Sequence, residues 1–179
     1  VADTGNHLIR RIDIGSGKVT TIAGNGRLER HASGQFEARR VGLASPWGLA
    51  RQDQWLYIAM AGSHQIWRLD SQTGKLGPFA GTGREGIQDG PIRAATFSQP
   101  SALALDGDRL YVADPEASAI RVIDLTRGRV ETLVGTGLFD FGDRDGDLSQ
   151  AHLQHALGIV RWRNDLLVAD TYNHKLKRL

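Results

Sequence analysis

The apolar positions of this chain fall in short runs separated by glycine-rich turns. Leu110-Tyr111-Val112-Ala113 is continuously apolar, which suits a strand buried on both faces. Pro100 to Asp106 forms a strand before it, with proline at the first residue, where no ladder donor is needed. Asp106-Gly107-Asp108 joins the two as a tight hairpin turn. Pro115 to Ser118 turns the chain again, and Ile120 to Ile123 makes a third strand. Val130 to Val134 is the fourth, ended by Gly135 and Gly137. The second-to-third-strand stretch occurs four times, at Val1–Asp13, Ile58–Asp70, Val112–Asp124 and Val168–Leu179. Ala2, Ala59, Ala113 and Ala169 occupy one place in it, at spacings of 57, 54 and 56 residues.

A period of this length marks a solenoid, a propeller or an array. Four short antiparallel strands per unit, with a buried second strand, predict an all-β fold, a β-propeller of four-stranded blades. No stretch has helical periodicity, and only a short turn is expected near Leu148 to Leu153. Residues 1–45 read as the last three strands of a blade plus a link, 46–99 and 100–156 as complete blades, and 157–179 as the first three strands of another. Pro78 removes a ladder donor from a fourth strand, so that strand is expected at the outer edge. The third strand breaks alternation. Its apolar columns, Ile9-Ile66-Ile120-Leu176 and Ile12-Leu69-Ile123-Leu179, lie three residues apart, which predicts two covered faces or a bulge. The basic column between them, Arg11, Arg68 and Arg178, is expected to lay its stems on apolar surface.

Composition narrows the picture. There is no cysteine, so this segment carries no disulfide or thiolate chemistry, which fits a reducing, cytoplasmic location. A net charge of +2 names no partner. No apolar run approaches the ~20 residues of a membrane helix, and no membrane partner is expected. The chain begins inside a repeat without a methionine, and it reads as a piece of a longer protein.

The pattern Ala2-Asp3-Thr4-Gly5-Asn6-His7-Leu8-Ile9-Arg10-Arg11-Ile12 resembles the NHL repeat, as do Gly24-Asn25-Gly26, Gly81-Thr82-Gly83 and Gly135-Thr136-Gly137. The strings Ser45-Pro46-Trp47-Gly48-Leu49, Phe141-Gly142-Asp143-Arg144-Asp145-Gly146 and Leu153-Gln154-His155-Ala156-Leu157-Gly158 are similar to one branch of that family. The resemblance implies a six-bladed propeller preceded by a thioredoxin-like domain, with the remaining blades outside this segment. The chain departs from the pattern at Met60, where aspartate is expected, at Ala117-Ser118-Ala119 and at Ala156.

Strand direction puts the turn between strands two and three on the same face as the long links between blades. Loops on a rigid scaffold carry binding, so the candidate residues are the turn tips Asn6, His7, Ser63, His64, Asn173 and His174. The histidines hold one place per blade, as a turn residue would, and equivalent turns lie too far apart for metal bonds of about 2 Å. Asp3, Asp114 and Asp170 are expected to accept turn amides. Asp143, Asp145 and Asp147 form a weak calcium candidate, because the glycine falls at the fourth place and no glutamate closes the loop. No nucleophile, base and orienting group stand together, so no catalytic residue and no cofactor are expected. At the inner-strand entrances only Gln99 and His155 offer ligands to a central metal. The expected function is a non-catalytic binding or scaffold propeller with a protein or small-molecule partner. A metal-dependent hydrolase or lyase completed by other blades is the alternative. An RNA-binding NHL domain is the second, and it is opposed by the links. Their charge runs from Arg27, Arg30, Arg39 and Arg40 in one to four aspartates against Arg144 in another, with no continuous basic track.

Overall fold

The computed structural model describes residues 1–179. Its strands fall into four antiparallel sheets, which are the blades of a propeller. The first sheet holds β1 (Ala2–Asp3), β2 (Leu8–Ile12) and β3 (Val19–Ala23). A link strand, β4 (Phe36–Glu37), precedes β5 (Pro46–Gln52), β6 (Trp55–Met60), β7 (Gln65–Asp70) and β8 (Lys75–Ala80). The third sheet repeats this with β9 (Gly90–Pro91), β10 (Ala102–Asp106), β11 (Arg109–Asp114), β12 (Ala119–Asp124) and β13 (Arg129–Val134). The last contains β14 (Ala156–Trp162), β15 (Asp165–Asp170) and β16 (Lys175–Arg178). Each second strand ends in a 3-10 turn, at Thr4–Asn6, Ala61–Ser63, Pro115–Ala117 and Thr171–Asn173.

Three apolar clusters hold the sheets together, one at each boundary between neighbours. Ile9, Ala23, Met60 and Trp67 belong to the first; Ile66, Phe79, Phe97 and Val112 to the second; Tyr111, Ile120, Ile159 and Val168 to the third. No cluster joins the first sheet to the fourth, so the four blades form an open arc. Each buried Leu, Ile or Phe contributes roughly 1.5–3 kcal/mol, against about 0–1 kcal/mol for an exposed ion pair. Apolar burial between blades therefore holds the arc together, and the charged side chains described below orient the links.

The two apolar columns of the third strand lie on opposite faces, both covered, since Ile66 and Leu69 belong to different clusters, as do Ile120 and Ile123, and a register shift is present beside them. Ile9 pairs with Ala23 but Arg10 with Thr21, and the same one-residue shift falls between Ile66 and Trp67 and between Ile120 and Arg121. The extra residue lies in the fourth strand each time: Ile22, Phe79 or Leu133. A bulge repeated at one place in three blades bends the fourth strand.

One expectation needs correction. In the two four-stranded blades the fourth strand is not the outer edge, because β4 pairs outside β8 and β9 pairs outside β13. The link from one blade thus adds a fifth strand to the next. Pro78 is still tolerated, since β4 pairs only with Lys75 and Leu76. Gly77 makes room for the link, for a Cβ there would meet the Gly34 carbonyl oxygen at 2.3 Å. The turn expected near Leu148 is present, with Gln150 and Ala151 N–H both donating to the Asp147 carbonyl.

Candidate functional site

The four 3-10 turns stand in a row on the face that also carries the links. The residue closing each turn, His7, His64, Ser118 or His174, lies in the left-handed region at φ 55°, 52°, 47° and 54°. Its N–H bonds back to the first residue of the turn. Short polar or imidazole side chains tolerate that backbone better than β-branched ones, which gives the repeated histidine a conformational reason.

Three of the six candidate side chains, Asn6, His64 and Asn173, are occupied by their own surroundings. Asn6 Nδ2 donates to Asp3 Oδ1 at 2.8 Å, and Asn173 Nδ2 donates to Asp170 Oδ2 at 2.8 Å and to the Gly142 carbonyl at 2.7 Å. His64 Nδ1 accepts the Gln99 N–H at 3.2 Å, and burial lowers its pKa. Ser118 Oγ does the same for His155 N–H at the next boundary, at 3.3 Å. At these two boundaries tip residue and strand entrance are therefore one structural joint. Ser63 is buried and its hydroxyl finds no partner, as does the buried Nδ1 of His7. His174 is exposed. No hydrogen bond joins any of these six side chains to another.

The strand-end aspartates do not accept the backbone amides of their own turns. Asp114 Oδ1 accepts the Ser98 N–H at 2.7 Å, and Asp170 Oδ1 accepts the Gln154 N–H at 2.7 Å, so both hold the incoming link. Their other oxygens face a cation across the sheet. The pairs are Asp3 with Arg10 at 3.0 Å, Asp114 with Arg121 at 3.5 Å, and Asp170 with Lys177 at 3.7 Å. Met60 and Trp67 hold these two places in the second blade, both fully buried. The departure at Met60 is thus half of an exchange of an ion pair for an apolar one.

The third-strand member of the pair secures the link that arrives over its own blade. Trp67 packs on Phe36 and His31, with ring centroids 6.1 and 6.2 Å away. Arg121, fully buried, donates to the Thr96 carbonyl at 2.8 Å, the Gln88 carbonyl at 3.3 Å and Asp89 at 2.8 Å. Lys177 reaches Asp143 and Asp145, both at 2.9 Å. Burial disfavours the Lys177 ammonium, but its bonds to Asp145 and Asp143 outweigh that and raise its pKa. Hydrogen bonds from Lys175 and Lys177 lower the pKa of Asp143. Two members of the calcium candidate are therefore engaged by lysines. Asp147 uses its carbonyl, not its carboxylate, in the turn.

Sequence reasoning passed over a second group on this face. At the last boundary the His155 ring stacks on Tyr172 at 4.3 Å and 12°. Its Nε2 lies 3.7 Å from the Glu116 carboxylate, and its buried Nδ1 has no partner. Glu116 and Tyr172 are the middle residues of their turns, where the first two blades have Gly5 and Gly62. That change from glycine was the available signal. Trp47 on the inner strand is 48% exposed and Tyr172 57%. A cavity of about 700 Å³ lies elsewhere, between the first two sheets beside the two-residue β1, and Ile9, Ile12, Leu49 and Leu69 line it.

No protein-family model matches the chain. NHL repeat-containing protein 2 of Homo sapiens is 40% identical over 208 residues, covering 99% of this chain and 29% of that protein. Protein SUPPRESSOR OF QUENCHING 1, chloroplastic, of Arabidopsis thaliana is 40% identical over 192 residues, covering 100% of this chain and 18% of that protein. The chain thus spans less than a third of these relatives. Among solved structures, a protein of unknown function from Bacteroides thetaiotaomicron superposes with a TM-score of 0.79 at 20% identity, over 97% of this chain and 42% of that one.

Proposed function

From the premise that this chain is part of an NHL-repeat β-propeller, we propose that it is a non-catalytic binding propeller presenting its loop face to a protein partner. The partner proposed is a thioredoxin-like domain of the same full-length protein. One observation carries the reading. The polar side chains of the loop face are mostly spent on fixing turns and links, while large aromatic ones stay exposed on it: Trp47 at 48%, Tyr172 at 57%, Phe139 at 87% and Phe141 at 51%. Rigid aromatic anchors on a braced frame are what a protein interface uses.

Hydrogen exchange on the full-length protein, with and without its thioredoxin-like domain, tests this. Protection is expected at the turns around Gly62, Glu116 and Tyr172 when the domain is present. Protection confined to the opposite hairpin turns, or none, refutes the proposal. A second reading, a small-molecule or enzyme site, rests on Glu116, His155 and Tyr172. For that reading, His155→Ala abolishes binding or turnover of a small molecule and leaves the exchange pattern unchanged.

A further inference from the structure

Arg68 is the one member of the basic third-strand column held against two aromatic rings. Its guanidinium carbon lies 4.0 Å from the Trp55 ring centroid and 4.6 Å from that of Phe79. Tyr57 in turn packs edge-on against Phe79 at 5.4 Å. Such stacking fixes the plane of the guanidinium without using its N–H groups. None of them reaches a hydrogen-bond acceptor of the protein, and no carboxylate lies within ion-pair distance of them.

Comparison of the blades separates this from a requirement of the repeat. In the last blade the same place is Arg178, whose Nε pairs with Asp165 at 3.8 Å. In the third blade it is Val122, with Leu133 in place of Phe79 and Arg109 in place of Trp55. The repeat therefore needs neither the charge nor the rings at this position. Only the second blade has an arginine stacked on two rings and in ion-pair contact with no acid.

Arg68 lines a crevice of about 150 Å³ at the outer side of the second blade. Arg93 lines it too, with Nη1 donating to the Pro78 carbonyl at 2.8 Å, and so does Lys75, which is tied to Glu37. One acid, Asp70, shares the crevice, and its Oδ1 accepts the Gln72 and Thr73 amides of its own turn. The close contact of Gly77 with Gly34 makes the wall rigid, since both belong to the lining. Two guanidinium groups with fixed orientation suit an acceptor with two oxygens, which a planar fork binds in bidentate fashion.

We propose that the Arg68–Arg93 crevice is a binding site for a small oxyanion, the carboxylate or phosphate group of a ligand. Calorimetric titration of the full-length protein with inorganic phosphate and, separately, with succinate tests it. Saturable binding of at least one is expected, and which one binds tells a phosphorylated ligand from a carboxylic one. Arg68→Gln keeps part of the stem and an N–H donor but removes the charge and the fork, and it lowers affinity by about tenfold or more. Arg68→Lys keeps the charge without the fork and also weakens binding. Arg178→Gln, at the equivalent place in the last blade, leaves affinity unchanged. Thermal melting confirms that each variant is folded. The proposal is overturned if neither anion binds at millimolar concentration, if folded Arg68→Gln binds like the parent, or if Arg178→Gln loses binding equally.

Discussion

At the scale of single residues, the deciding positions are those where a charge is buried. Asp114 is fully buried, and desolvation pushes its pKa from 3.8 to about 7, although Arg121 and the Ser98 amide pull the other way. Unfolded, the group gives up its proton near 3.8; folded, it keeps it up to about 7. The folded state thus binds the extra proton between those values, and stability falls as pH rises through that window. Asp3, held down by Asn6 and then Arg10, and Asp143, held down by Lys175 and then Lys177, have lowered values. Their contribution is present above 3.8 and is lost only below it, so it does not mask the effect. Asp114→Asn keeps an oxygen for the Ser98 amide and removes the titration. Melting curves at about pH 5 and about pH 8 are expected to differ by a few degrees more in the parent than in this variant; equal differences exclude Asp114 as the titrating group. The second blade shows another solution to the same problem, since a packed Met60–Trp67 pair avoids the desolvation cost of an ion pair altogether.

At the scale of elements, the strands and their order were legible because each carries its own apolar run and its own turn residues. Gly107 at φ 56° turns the hairpin before β11, and the residues closing the 3-10 turns recur at one place per blade. The fifth strands were not legible, because Phe36-Glu37 and Gly90-Pro91 are two residues each and have no periodicity to read. They exist only because a neighbouring edge offers them partners. The candidate site divides in the same way. The tips were found through repetition, whereas Glu116, His155 and Tyr172 come together across a blade boundary from places 56 residues or fewer apart, which spacing alone cannot show. Gly77→Ala tests the added strand directly. The new methyl group collides with the Gly34 carbonyl and is expected to cost about 1–3 kcal/mol. Faster hydrogen exchange at Ala38, whose N–H bonds to the Gly74 carbonyl at 3.0 Å, should accompany the lower denaturation midpoint. Unchanged exchange there would mean that the link adjusts without releasing β4.

At the scale of the molecule, the arc has two uncovered ends. Leu176 is 79% exposed and Val160 55% on the fourth sheet; on the first, Val19 is 55% exposed, and Ile14, in the turn after β2, 95%. Exposed apolar faces beside open strand edges favour association. Sedimentation of the 179-residue segment is therefore expected to show concentration-dependent assembly, reduced by Leu176→Lys; a monodisperse monomer at every concentration contradicts this. The strapping of each link over the following blade has a further effect during synthesis. Phe36 docks on Leu76, 40 residues later, and the staple from Trp67 comes from the same later blade. At about 5–20 residues per second, a ribosome leaves each link loose for about 2–8 s after it is made. A link docks only once the fourth strand of the blade after it has emerged, so the newest link is always the segment open to a chaperone or protease.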